Sequence, residues 1–514
     1  MRLPPDDQHG APISRIARGA GISSLGQGIG RILGYATQVA LARMYGPANL
    51  GFYVLGFTIV QVASIFSQFG MNYGVLRYVA RYRVENDISR MRGTILLALW
   101  ASLVLSLLLA LLMFFGSGFL AERVSDQLSD KPTLTNVFRI FAVSLPFFTV
   151  MSIALWATQG FQTVKYATIV EEIQRPALNL ALVVVFYLLG AQILGAVLAY
   201  ALSMMVGVIL SLYYLRVLFP KLLDRHTTPK LEARLLVGAS APVVVANFSS
   251  RINDWVAVWV VGFMVSADAV GIFNTAARTA ALSALILAAF KIFTPMVSDL
   301  YSRGELAELG SLYKDISRWA FTGSLALFLV IVPLAKDIMV VFGPEFVSGW
   351  VVLIVIGVAQ LFNSSTGHTA RILAMTGYQN VVMVATLGAT TAGIAATIFL
   401  VPIYGILGAG VAIAASVILS NIVTLFYVKL RLGLWPYNRG YYKPLAAGIL
   451  AAGGAYLLKL ALPIADGIPT VLVIAPLSLL GFAALMMAFG LTYSDREFLA
   501  ALWRAIRAKM QPNA

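Results

Sequence analysis

The chain has 514 residues, 60% of them hydrophobic and 11% charged, with a mean hydropathy of +0.85 and a formal net charge of +15. Soluble domains carry roughly 45–50% apolar and about 25% charged residues, so this composition excludes an ordinary soluble enzyme and points to lipid. There are no cysteines, which excludes disulfides, thiol catalysis and cysteine-ligated metals.

Residues 1–18 form a polar N-terminal tail. Each bilayer crossing needs about 20 apolar residues, and hydropathy predicts six in the first part of the chain, at 19–44, 50–74, 93–115, 137–160, 168–189 and 192–215. Six more follow at 235–263, 269–296, 319–342, 350–376, 381–401 and 407–428, and a last pair lies at 445–464 and 470–491. The fold class expected is an all-α polytopic membrane protein with about fourteen transmembrane helices. Its parts are a six-helix bundle at 19–220, a second at 235–431, two additional helices within 444–491 and a cytoplasmic tail at 492–514.

Basic residues set the orientation. With the N-terminus in the cytosol, cytoplasmic segments hold 25 of the 37 Lys and Arg, ten lie within spans, and outer loops hold only Arg123 and Lys131; this asymmetry follows the positive-inside rule. Three cytoplasmic loops carry most of the charge: 77–92, 216–234 and 429–443. Topogenesis accounts for the basic balance, so no nucleic-acid partner is expected. The first apolar stretch is too long and too rich in arginine for a signal-peptide core. An even number of spans places both termini in the cytosol.

An internal repeat runs through the first twelve spans. Asn49-Leu50-Gly51-Phe52-Tyr53 resembles Ala269-Val270-Gly271-Ile272-Phe273, Gly160-Phe161-Gln162 resembles Gly377-Tyr378-Gln379, and Leu194-Gly195-Ala196 resembles Leu407-Gly408-Ala409. The three offsets are nearly equal, as a duplication requires. An even number of spans per half makes the repeats parallel, related by an axis along the membrane normal with a cavity between them.

Polar residues form stripes inside the spans, where ionisable groups cost about 2.5–3.5 kcal/mol each on insertion scales and so face a wet cavity or a partner. The first span carries Gln27, Arg31, Tyr35 and Gln38 on one helical face, and the second carries Gln61, Ser64, Gln68 and Asn72. The seventh carries Asn247, Arg251 and Asp254, the eighth Asn274 and Arg278, the tenth Gln360, Ser364, Gly367 and Arg371. Neutral members are also explained by hydrogen bonds between helices. Arg31, Arg251 and Arg278 are too far from span ends to snorkel easily, whereas Arg43, Arg139, Arg175, Lys336 and Lys459 lie nearer the ends, where snorkelling or a local carboxylate explains them. Asp254 reads as the only acid deep within a span; spacing favours an ion pair with Arg251, the rival being a proton or cation site. His9, His226 and His368 show no metal-ligand spacing, and His368 reads as a packed side chain ahead of a proton relay. Gly26, Gly30 and Gly34 recur every fourth residue and are expected to admit a close neighbouring helix.

The run Gly46-Pro47-Ala48-Asn49-Leu50-Gly51-Phe52-Tyr53, with Phe69-Gly70-Met71-Asn72-Tyr73-Gly74 and Arg77-Tyr78-Val79-Ala80-Arg81-Tyr82, resembles the polysaccharide flippases of the multidrug/oligosaccharidyl-lipid/polysaccharide (MOP) exporter superfamily. That resemblance implies two six-helix bundles around a cavity lined chiefly by spans one, two, seven and eight. It also implies alternating access that carries a polyprenyl-pyrophosphate-linked oligosaccharide outward, with no enzymatic activity. Arg31, Arg251 and Arg278 match by span and depth the cationic residues that meet the pyrophosphate, and Gln38, Gln61, Gln68, Asn72 and Asn274 complete the expected substrate-binding set. No metal or other cofactor is expected beyond proton or sodium coupling, with membrane lipids and polysaccharide-assembly proteins as partners. The cation-binding acids of some relatives lie in the seventh and eleventh spans, and 381–401 has none. A lipid II flippase shares the cationic cavity. A multidrug antiporter would need cavity acids. A membrane glycan enzyme would need a carboxylate or histidine constellation at an outer loop, and 116–135 supplies only Glu122, Asp126 and Asp130.

Overall fold

The structure, a computed structural model, describes residues 12–124, 131–224, 228–236, 252–283, 293–462, 465–490, 492 and 494–497. The chain divides into two compact units, residues 1–271 and 272–514.

The first unit begins with α1 (Pro12–Gln68), which contains two predicted spans joined at Gly46. Gly46 sits at φ 76° and ψ 176°, a left-handed excursion that glycine makes without a Cβ penalty. Pro47 then opens the second arm, where its missing N–H costs nothing. Phe69 and Gly70 follow at φ 45° and 69° and end the helix, so the predicted span 50–74 is broken and α2 (Met71–Val84) starts afresh. Hydropathy is blind to this break because both flanks are apolar. Next come α3 (Ile88–Arg123), whose N-cap Asp87 side chain accepts from the Arg90 N–H at 2.9 Å, and α4 (Lys131–Gly160). A turn at Lys165–Ala167 runs through a π-helix at Thr168–Gln174 into α5 (Arg175–Leu188), followed by α6 (Ile193–Leu218) and α7 (Ile252–Met264). The next helix, α8 (Ala267–Ala280), starts in this unit and continues into the second.

Lipid tails are as apolar as leucine, so helices in a membrane associate through close packing rather than through escape from water. The third helix shows how sequence sets this. Ala98, Ser102, Ser106 and Ala110, at four-residue steps, are its buried face, while Trp100, Leu107, Leu108, Leu111 and Leu112 remain exposed. At the other end of the unit, Met71, Val75 and Tyr78 of α2 pack with Ile95 and Ala98 of α3, Ile153 of α4 and Leu215 of α6.

The second unit holds α9 (Phe293–Ser302), α10 (Leu306–Val340), α11 (Trp350–Thr366), α12 (Thr369–Met375), α13 (Gln379–Leu432), α14 (Tyr442–Ala461) and α15 (Ile468–Ala488). Gly367, at φ 71° and ψ −147°, separates α11 from α12, so the predicted span 350–376 is two helices and Arg371 leaves the face of Gln360 and Ser364. A Cβ on Gly367 would lie 2.0 Å from Ser317 Oγ. Two predicted spans share α13, bent at Gly405 with φ 55°. The small residues Ala447, Gly448, Ala451 and Ala455 let α14 lie against Phe321, Leu325 and Leu334 of α10.

Nine helices among the described residues are long and apolar enough to cross a membrane. Because α1 and α13 each contain two predicted segments, these nine account for eleven of the fourteen. The fifth predicted segment is shortened by its π-turn, and the seventh and eighth lie partly outside the described residues.

The repeat has structural counterparts. Gly190 turns the chain between α5 and α6 at φ 78°, as Gly405 does within α13. Just beyond, Gly195 sits close to the Phe186 side chain and Gly408 to the Leu400 carbonyl, where an added Cβ would come within 2.9 Å and 2.3 Å. In both halves the glycine of the Leu-Gly-Ala motif brings a helix back onto its predecessor.

Candidate functional site

In the first arm of α1, Arg31 is exposed, Tyr35 is half-buried and Gln38 is buried. Leu25 and Ile32 are exposed as well, so within its unit this stretch is packed on one side only. The packed side is the glycine stripe. A Cβ on Gly26 would lie 2.0 Å from Thr168 Cγ2, and one on Gly30 would lie 2.7 Å from the Glu172 carbonyl. Gly34 has nothing within 4 Å among the described residues, so close approach there explains two of the three glycines.

The second arm places Gln61 and Gln68 at half-buried positions. Ser152 of α4 donates to Gln68 Oε1 at 3.4 Å, and Ser67 and Thr149 share a 2.8 Å hydrogen bond. These groups join helices, which is the interhelical role weighed against substrate binding. Asn72 lies beyond the break at Phe69 and Gly70, so it does not continue the face of Gln61, Ser64 and Gln68 as the spacing predicts. It is buried, and its Oδ1 has no hydrogen-bond partner among the described residues.

Asp254 stands exposed in the first turn of α7, while Arg251 and Asn247 lie outside the described residues, so the expected Arg251–Asp254 pair is untested. His9 and His226 lie outside them too. Asn274 is half-buried and Arg278 exposed one turn later on α8, as their spacing predicts. His368 is buried and stacked on Phe293 at 5.8 Å between ring centroids, the packed reading of that residue.

Cationic side chains near predicted span ends find local partners. Arg139 lies 5.3 Å from the Phe114 ring centre and Lys336 lies 5.2 Å from that of Trp350. Lys459 pairs with the buried carboxylate of Asp337, which also accepts the Gly467 N–H at 3.0 Å.

Asp337 lies nearer the end of its predicted span than Asp254 does, and so do Glu171 and Glu172. These two glutamates lie in the π-helix and line a cavity of about 180 Å³ with Ser23, Gln27, Gln159 and Thr168. Gln27 donates to Ser23 Oγ at 3.1 Å, and Arg175 Nε approaches the Glu171 carbonyl at 3.4 Å. Adjacent acids at the head of an apolar segment were the available signal, hidden by their place in its first turns. A π-turn widens a helix by a residue and often marks a functional position.

Outside the predicted spans, two carboxylates hold chain to helix. Glu232 accepts from the Tyr82 hydroxyl and pairs with Arg90 at 3.1 Å. Burial and the Glu232 carboxylate push the Tyr82 hydroxyl up to about 12. Asp495 accepts from Arg318 at 2.8 Å and Trp319 Nε1 at 2.9 Å, and its other oxygen takes the Thr492 N–H. Burial works to raise the Asp495 pKa, and the Thr492 and Trp319 hydrogen bonds with the Arg318 charge overcome it and hold it below the usual value.

A family model described as polysaccharide biosynthesis protein matches residues 16–301. Among curated proteins, stage V sporulation protein B of Bacillus subtilis is 27% identical over 192 residues, covering 37% of this chain and 36% of that protein. A probable low-salt glycan biosynthesis flippase, Agl15 of Haloferax volcanii, is 26% identical over 201 residues, covering 38% and 42% respectively. The matched stretches thus span well under half the length of either relative. Among solved structures, the lipid II flippase MurJ in an inward closed conformation superposes with a TM-score of 0.70 at 15% identity, covering 91% of this chain and 98% of that one. An inward-facing multidrug resistance MATE family transporter of the MOP superfamily gives 0.65 at 17% identity, covering 79% and 95%. At these identities the likeness is one of fold.

Proposed function

The chain belongs to the polysaccharide biosynthesis protein family, and on that premise we propose that this MOP-superfamily transporter flips a polyprenyl-pyrophosphate-linked oligosaccharide from the cytoplasmic to the outer leaflet. The cargo is an O-antigen, capsule or exopolysaccharide repeat unit, moved by alternating access.

The observation that carries this reading is Arg31, an exposed guanidinium well inside an apolar helix that packs on one side only. An arginine at that depth is tolerated where it faces water or an anion. Arg278 supplies a second exposed guanidinium on α8, and Arg251 is assigned the same role from its place in the sequence. A guanidinium fork matches two phosphate oxygens at once, which suits a pyrophosphate better than an ammonium does. Gln38, Gln61, Gln68, Asn72 and Asn274 are assigned to the sugar and to the helix contacts that shape its path. Multidrug export of cations would place the arginines against like charge.

The protein is placed in the inner membrane with both termini cytosolic, working beside other polysaccharide-assembly proteins. The test is surface polymer in cells carrying Arg31→Ala or Arg278→Ala, with membrane abundance measured in parallel. Loss of polymer at normal abundance is expected for each. Wild-type polymer with alanine at both positions sinks the cationic mechanism.

A further inference from the structure

In the sequence, the loop 216–234 separates the two expected halves and reads as a basic cytoplasmic connector. Residues 219–224 and 228–236 are bound to the first unit along their length. Phe219, Leu222 and Leu236 are buried in the cluster formed by Tyr82, Met91 and Ile95. Arg92 Nε donates to the Leu222 carbonyl at 2.9 Å, and the Lys230 N–H donates to the Ser89 carbonyl at 3.1 Å. Glu232 takes the Tyr82 hydroxyl on one oxygen and Arg90 on the other. A Cβ on Gly93 would lie 1.9 Å from the Lys230 carbonyl, so the second turn of α3 carries the one residue that lets the connector lie directly on it.

These contacts come from two places, the end of α2 and the first turns of α3. Apolar burial, two backbone-level hydrogen bonds, a close glycine approach and a doubly engaged carboxylate all act on one short stretch. Slack chain pays ordering entropy for every fixed residue, and this stretch recovers it at several independent points.

We propose that residues 219–224 and 228–236 form a strap that stays fastened to the end of α2 and the start of α3 while the transporter works, so that this part of the connector moves with α2 and α3 and is not a free hinge. The fastening stands on its own contacts; its part in the working cycle rests on the transport reading above.

Hydrogen exchange of the full-length protein tests the fastening. Peptides covering 228–236 are expected to exchange as slowly as those of α3, and Glu232→Ala is expected to speed exchange at least tenfold both there and over 82–92. Exchange at 228–236 as fast as in an unstructured chain, or unchanged by Glu232→Ala, overturns the strap. Mobility during work is tested by Ser89→Cys with Lys230→Cys in this cysteine-free chain, joined by a short bifunctional thiol reagent that a reductant cleaves. Bridged protein is expected to export polymer within about twofold of its unbridged parent. Export lost on bridging and regained on cleavage shows that the strap must open and overturns the proposal. An unbridged parent that reaches the membrane and exports no polymer counts against the transport reading, while the exchange result still decides the fastening.

Discussion

Gly51 and Gly271 hold reciprocal places: a Cβ on Gly51 would lie 1.9 Å from the Ala267 carbonyl oxygen, and one on Gly271 would lie 2.2 Å from that of Pro47. Each glycine follows its carbonyl-bearing counterpart by four residues, so the start of the second arm of α1 and the start of α8 cross backbone to backbone. Overpacking a fixed site costs about 1–3 kcal/mol, and more where backbone must shift. Gly51→Ala and Gly271→Ala are each expected to lower thermal stability, and because they disturb one crossing, the double variant should fall short of the sum. Additive losses in a detergent melting series would separate the two sites.

Asp337 has its charge met by Lys459 and by the Gly467 N–H. Removing one partner of a buried pair leaves an uncompensated charge and costs about 3–5 kcal/mol, whereas replacing both with apolar groups is milder. Lys459→Met is therefore expected to destabilise the protein, and Asp337→Leu with Lys459→Met to be more stable than Lys459→Met alone. A double variant no better than the single one would show that the Gly467 hydrogen bond matters more than the ion pair.

Asp495 is held below the ordinary carboxylate value by its hydrogen bonds and by Arg318. A depressed carboxylate stabilises the folded chain above the unfolded pKa and loses that effect as pH falls through the folded one. Asp495→Asn should lower the melting temperature at pH 7. The gap from the parent should close below about pH 4, where the parent carboxylate also takes up its proton. A gap of constant size down to pH 3 would mean that the asparagine harms packing rather than charge.

Orientation is open to thiol labelling in intact cells. Cysteines at Ser89 and Ser302 are expected to be shielded from impermeant reagents. Ser117, on the opposite side by the basic asymmetry, is fully buried, so Glu122, exposed near the end of α3, is the position to label there. Reaction at Ser302 with none at Glu122 would invert the topology.

Apolar runs made most crossings legible, and the Gly46-Pro47 pair announced the bend in α1. The breaks at Phe69-Gly70 and at Gly367 were not legible, because each depends on one or two left-handed residues within a run whose hydropathy never drops. The repeat could be read from three short motifs because five of their six glycines have a neighbour that excludes a side chain, while the sixth, Gly377, sits at φ 90°. Arg31 and Arg278 stood out in the sequence because their distance from span ends makes snorkelling difficult. Glu171, Glu172 and Asp337 were missed because a search for residues at mid-span discounts acids a turn or so from an end, where bundle geometry can still bury them.

The π-turn at Thr168–Gln174 takes up one residue more than a regular helix would need. An α-helix advances 100° per residue, so deleting one residue between Thr168 and Gln174 is expected to close the wide turn into a regular one and leave Asn179 and Val183 at their buried places. Deleting one residue from 176–178, where no wide turn absorbs the difference, would instead swing every later side chain of α5 by about that angle, and Phe186 would leave Gly195. One helix thus holds two neighbouring stretches with opposite tolerance of a change in length, the first slack and the second taut.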